Sequence, residues 1–83
     1  MMLKETREEL TRIATTYLEE NNISTYRARK DKITFNGVCY NSLYTAIKDG
    51  AKIHNNTLIK LLDFFDIEFN QEYFEENNII KLI

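Results

Sequence analysis

A single cysteine, a single histidine, two glycines and no proline are all that 83 residues hold of the types on which much small-protein chemistry rests. One cysteine cannot close a disulfide within the chain, and small secreted domains ordinarily need several, so the expected setting is the cytoplasm of a bacterial host cell. Cys39 and His54 fall short of the four ligands of a structural zinc site, and no local motif sets either beside partners for a nucleophilic triad. Gly37 and Gly50 stand too far apart for a phosphate-cradling loop, and each suits a turn or a helix end. No apolar run approaches the length of a membrane-crossing helix or a signal-peptide core. No catalytic residue, no metal and no cofactor are therefore expected, and no membrane partner.

With 43% hydrophobic and 29% charged residues, the composition is that of a globular protein and not of a disordered or fibrous one. A chain this short forms one domain, residues 1–83, with room for a core but not for a deep cleft between domains. Asparagine, isoleucine and lysine supply 26 of the 83 residues, a bias that an AT-rich genome, such as that of a low-GC bacterium or its phage, would produce.

Hydrophobic spacing sets out the elements. Leu3, Leu10, Ile13, Ala14, Tyr17 and Leu18 form one helical stripe over residues 3–20, with Glu8 and Arg12 as an i,i+4 pair and a stop at Asn21-Asn22. Ile33-Thr34-Phe35, Asn36-Gly37 and Val38-Cys39-Tyr40 predict a hairpin on a type I′ turn, Phe35 opposite Val38 and Ile33 opposite Tyr40. Thr25–Arg29 alternates as a third strand would, Tyr26 and Ala28 on one face and Arg27 and Arg29 on the other. Leu43, Tyr44, Ala46 and Ile47 mark a short helix capped by Asn41 or Ser42 and ended by Gly50. Leu58, Ile59, Leu61, Leu62 and Phe65 mark another, over 57–66, capped by Asn55 or Asn56. Residues 71–76 predict one or two more helical turns. Tyr17-Leu18-Glu19-Glu20-Asn21-Asn22-Ile23 is echoed by Tyr73-Phe74-Glu75-Glu76-Asn77-Asn78-Ile79, which suggests that Ile79–Ile83 is a terminal edge strand. The expected fold is α+β: an N-terminal helix, a three-stranded antiparallel meander, two to three C-terminal helices and that edge strand. Its core draws on Leu10, Ile13, Tyr17, Ile33, Phe35, Tyr40, Leu43, Ile47, Leu58, Leu62 and Phe65.

Two surfaces could bind. Residues 1–42 hold seven cations against six anions, and residues 43–83 hold four against seven, so the C-terminal half is the acidic one. Within it, Asp63–Glu76 carries six carboxylates and no cation, interleaved with Phe64, Phe65, Phe69, Tyr73 and Phe74. The bland reading is an amphipathic helix with a solvated acidic face. The sharper one is a protein-docking surface in which Asp63, Asp66, Glu68, Glu72, Glu75 and Glu76 face a basic groove while Phe69 or Tyr73 anchors. The other surface is basic: Arg27, Arg29, Lys30 and Lys32 fall within six residues. The bland and favoured reading is an exposed, charged sheet face that discourages edge pairing, and the sharper one a patch that contacts phosphates.

Leu43-Tyr44, Lys48-Asp49-Gly50 and Asn56–Ile67 resemble the last two helices of a Cro/C1-type helix-turn-helix domain, although the hairpin signal stands where that family has its preceding helix. The resemblance implies a dimeric regulator whose 41–50 helix enters the major groove, with Asn41, Ser42, Tyr44, Thr45 and Lys48 as contacts and Arg27, Arg29, Lys30 and Lys32 on phosphates. In size, element order and acidic C-terminal half the chain is also similar to some small phage anti-CRISPR proteins. That likeness implies an inhibitor, monomeric or dimeric, that presents carboxylates to the nucleic-acid groove of a host protein. The docking protein is the leading expectation and the regulator the alternative.

Overall fold

Among the residues that the computed structural model describes, 2–49 and 53–83, the chain runs α1 (Lys4–Glu20), α2 (Thr25–Lys30), β1 (Thr34–Phe35), β2 (Val38–Cys39), α3 (Tyr40–Asp49), α4 (Asn55–Phe64) and α5 (Gln71–Asn77). The class is α+β, with an N-terminal helix, one antiparallel strand pair and three C-terminal helices. Gly50, expected to end α3, lies outside the described residues.

The hairpin follows from its turn. Asn36 at φ 54° and Gly37 at φ 84° supply the two positive φ values that a type I′ turn requires. The resulting register pairs Thr34 with Cys39 and Phe35 with Val38. Tyr40 N–H donates to the Ile33 carbonyl at 3.0 Å, carrying the pairing one step further than the strands themselves. Phe35 and Val38 are buried, and Thr34 and Cys39 face outward.

Thr25–Arg29 is not a strand, and the sheet has two strands instead of three. Ser24 Oγ accepts from Arg27 N–H at 3.1 Å, an N-cap, and Arg, Ala and Lys are strong helix formers. Over so short a run, a period of 2 and a period of 3.6 both bury Ala28. Tyr26 separates them: a strand would turn it inward beside Ala28, but it is 69% exposed. Arg27 and Arg29 consequently lie on a helix, not on an outer sheet face.

Three of the helices stop without a glycine. Ile23 N–H donates to Leu18 C=O at 2.8 Å, Ile33 to Ala28 at 3.1 Å and Ile67 to Leu62 at 2.9 Å. Asn22, Lys32 and Asp66, the residues just before, donate to Glu19, Arg29 and Asp63 and have φ of 54°, 51° and 57°. These are Schellman closures of α1, α2 and α4, each with an isoleucine folded back onto the core side of its helix. Asn tolerates this conformation, but Lys pays for its Cβ there. Lys32→Gly should therefore raise stability by about 1 kcal/mol, some 4–8 °C in Tm, in a thermal melt.

The echo between residues 17–23 and 73–79 is a left-handed helix stop in both copies, although α5 closes with the single bond from Asn78 N–H to Phe74 C=O at 2.7 Å. Asn21 Nδ2 donates to Tyr17 C=O at 2.8 Å and Asn77 Nδ2 to Tyr73 C=O at 3.1 Å. Asn22 and Asn78 both adopt left-handed φ, 54° and 55°. The strand expected after the second copy is reduced to isolated bridges, Ile80 parallel to Met2 and Leu82 antiparallel to Phe69, neither joined to the hairpin. Ile80 is instead held at the start of α1, where the buried Thr6 donates its hydroxyl to the Ile80 carbonyl at 3.3 Å.

The core gathers around Phe35, whose ring centroid lies 5.4 Å from Phe64, 5.6 Å from Phe65 and 6.0 Å from Tyr17. Leu10, Phe35, Tyr40, Leu43, Leu58 and Leu62 are buried as expected, and Tyr17, Ile33, Ile47 and Phe65 pack half-buried against them. Ile13 is only half-buried and stands outside this cluster, because α1 turns Thr6, Leu10, Ala14 and Leu18 inward. Arg12 pairs with Glu9 and not with Glu8, which Lys4 holds at 3.8 Å.

Candidate docking site

Asp63–Glu76 is two helices and a link. The Schellman closure at Asp66 ends α4, and Asn70 Oδ1 accepts from Tyr73 N–H at 2.9 Å to start α5. Phe69, between them, bridges to Leu82 and meets Phe74 edge-on at 5.9 Å. The three segments and the C-terminal residue enclose a surface groove of about 570 Å³. Ile59, Ile67, Phe69, Phe74 and Ile83 supply its apolar lining, and Asp63, Glu68, Lys60, Gln71 and Asn36 its polar one. Asn36 Nδ2 donates to Lys60 C=O at 3.2 Å and lies 3.5 Å from Asp63 Oδ2, tying the hairpin tip to α4 at the groove edge.

Of the eight residues expected to dock a protein, the groove unites Asp63, Glu68 and Phe69. Asp66 borders a different hollow, beside Tyr17 and Phe65. Glu72, Glu75 and Glu76 are exposed on α5 outside the groove, and Tyr73 is half-buried with Lys81 Nζ 5.1 Å from its ring centre. Phe65 packs half-buried against the core beside Tyr17, and Phe64, although exposed, meets the same Tyr17 ring edge-on at 5.5 Å. Sequence reasoning missed Ile59, Ile67, Phe74 and Ile83. Ile59 and Phe74 sit at helical spacing beside residues already singled out, but only the turn at Asp66 brings them to one place.

Helix ends set the field of this half of the molecule. Asp63 lies in the last turn of α4 and Glu75 and Glu76 in that of α5, with no basic residue in either. A helix C-terminus carries partial negative charge, so these carboxylates stand where the dipole opposes them. They therefore add to the negative potential that an approaching cation meets.

The basic set divides differently. Arg27 is paired with Asp31 at 3.5 Å, whereas Arg29 Cζ lies 4.0 Å from the Tyr44 ring centre and Lys48 Nζ 5.6 Å from it. Hydrogen bonding from Arg29, then the Lys48 charge, holds the Tyr44 phenol below the usual tyrosine range, while burial pushes that of Tyr40 up. Lys30 Nζ is 5.8 Å from the exposed Tyr26 ring, and Lys32 occupies the left-handed position after α2. Asn41, Ser42, Thr45 and Lys48 are exposed on α3.

Neither Asn41 nor Ser42 caps α3, which begins at Tyr40 with Cys39 immediately before it. The Cys39 thiol lies 3.3 Å from Ser42 Oγ, and hydrogen bonds from the Ser42 hydroxyl and backbone hold it below the usual thiol range. The thiolate is the reactive form, so Cys39 should alkylate with iodoacetamide at lower pH than free cysteine, and Ser42→Ala should move that rate profile to higher pH. Neither Asn55 nor Asn56 caps α4. His54 is the residue before it, and Asn55 is its first residue, donating its amide to Asn78 C=O at 3.0 Å.

Among the described residues, no group of three or more His, Cys, Asp or Glu could hold a metal ion. No helix among them is long and apolar enough to cross a membrane. No protein-family model, curated protein or solved structure matches the chain.

Proposed function

We propose that this domain is a non-catalytic docking protein whose groove between α4 and α5 receives a basic, apolar-tipped segment of a larger protein. The observation that carries the reading is the pairing of Asp63 and Glu68 with an apolar lining that includes Phe69 and the 85%-exposed Ile83. Apolar side chains supply contact energy, and carboxylates at the rim select cations and fix their register. Basic grooves of nucleic-acid machinery, a CRISPR nuclease among them, offer the complementary chemistry. A basic segment at the wall of such a groove, once held between α4 and α5, seats the acidic domain where phosphate would pass, and the proposed role is an inhibitor carried by a phage or mobile element.

The test is selection from a random peptide library against the purified domain. The expected winners carry Arg or Lys next to Leu, Ile or Phe, and lose binding to a variant with Asp63→Lys and Glu68→Lys. Winners without cations, or winners that bind that variant as they bind the parent, would remove the groove as the docking site.

A further inference from the structure

We infer that α2 and α3 together form a second binding surface, one that grips the phosphate backbone of duplex nucleic acid. Four cations lie on or directly after these helices, Arg29, Lys30, Lys32 and Lys48, all exposed and none in an ion pair among the described residues. Asp31, the residue that closes α2, is held by Arg27 at 3.5 Å. Tyr44 fixes the geometry: its ring centre lies 4.0 Å from Arg29 Cζ and 5.6 Å from Lys48 Nζ, so two cations from different helices are drawn to one point. Such stacking holds a guanidinium in place, and the N–H donors of its fork that the Tyr44 oxygen does not take are left for other oxygen acceptors. On the adjoining side of α3, Asn41 and Thr45 are exposed, short side chains that donate hydrogen bonds to phosphate as readily as to base edges.

The occupant follows from charge and from the rings. Several cations spread over two short helices complement a chain of regularly spaced anions better than a single small anion. A stacked single strand needs open aromatic faces. Here Tyr44 lies under Arg29 and only 6.2 Å from Tyr40, and Tyr26, 69% exposed, has Lys30 Nζ 5.8 Å from its ring centre. A duplex, whose bases are already stacked, makes no such demand. This inference stands apart from the docking reading, since it uses no residue of the groove.

Fluorescence anisotropy with a labelled random-sequence duplex, and with a single strand of equal length, tests it. Neutralising two to four phosphates predicts roughly 10- to 150-fold weaker duplex binding at about 200 mM salt than at about 50 mM. A variant with Arg29→Ala and Lys48→Ala should bind the duplex at least fivefold more weakly at low salt, with an unchanged circular dichroism spectrum. Lys81→Ala, which removes a cation elsewhere, should stay within twofold of the parent. No binding at low salt, equal binding by the double variant, or tighter binding to the single strand would each overturn the inference.

Discussion

Phe35→Ala should destabilise the domain by about 3–5 kcal/mol, the range for removing a buried phenyl ring. For 83 residues the total stability is of order 4–12 kcal/mol, so this one change removes a quarter or more of it. The ring is fully buried, and its neighbours come from α1, α3 and α4: Tyr17, Tyr40, Phe64 and Phe65. These are well-anchored parts that cannot close over the space, so the cavity term is added to the lost transfer energy. Phe35→Leu keeps most of the volume and should cost less than half as much. Urea denaturation measures both. A loss under about 1 kcal/mol for the alanine variant would mean that the hairpin does not organise the core.

Asp63→Lys combined with Glu68→Lys should weaken binding of a selected basic peptide at least tenfold, about 1.4 kcal/mol, while leaving stability within about 0.5 kcal/mol. The two readouts separate because Asp63 contributes little to the fold. In the last turn of α4 it opposes the helix dipole, and a lysine there relieves that conflict. Against this, the substitution loses the Asn36 amide at 3.5 Å and places like charge near Lys60, one turn away. The terms are each a few tenths of a kcal/mol and of opposite sign. Isothermal titration with the peptide and a thermal melt of the same preparation give both numbers. Unchanged affinity, or lost affinity accompanied by a large fall in Tm, would contradict the assignment of these carboxylates to binding.

The parts of the fold that could be read from the sequence are those whose signals are local. Asn36-Gly37 demands its turn, and once the turn is placed Phe35 and Val38 must share a face. The α1 stripe was legible for Leu10, Ala14 and Leu18 but not for Thr6, whose spacing is right and whose hydroxyl disguises it until Ile80 supplies an acceptor. Helix α2 was misread because alternation over five residues cannot distinguish a strand from one and a half helical turns; the Ser24 cap was the signal that could have decided it. Lys32 and Asp66 gave no warning of left-handed backbone, since the glycine that usually marks it is absent. For the candidate site, composition pointed to eight residues between Asp63 and Glu76, of which the fold brings only Asp63, Glu68 and Phe69 into the groove. Their union with Ile59 and Ile83 depends on the chain reversing at Asp66 and on Leu82 meeting Phe69, contacts that no local pattern encodes. The approach of Arg29 to Tyr44 is likewise non-local, and the strand reading of residues 25–29 hid it.

The most direct test of the groove is a titration of the isotopically labelled domain with a short peptide of alternating arginine and leucine, followed by amide chemical shifts. Docking as proposed predicts saturable shifts concentrated at Asp63, Ile67, Glu68, Phe69 and Phe74, with the exposed glutamates of α1 unmoved. Shifts spread evenly over Glu5, Glu8, Glu19, Glu20 and the α5 carboxylates, without saturation, would show an acidic surface that attracts cations everywhere and a groove that selects none.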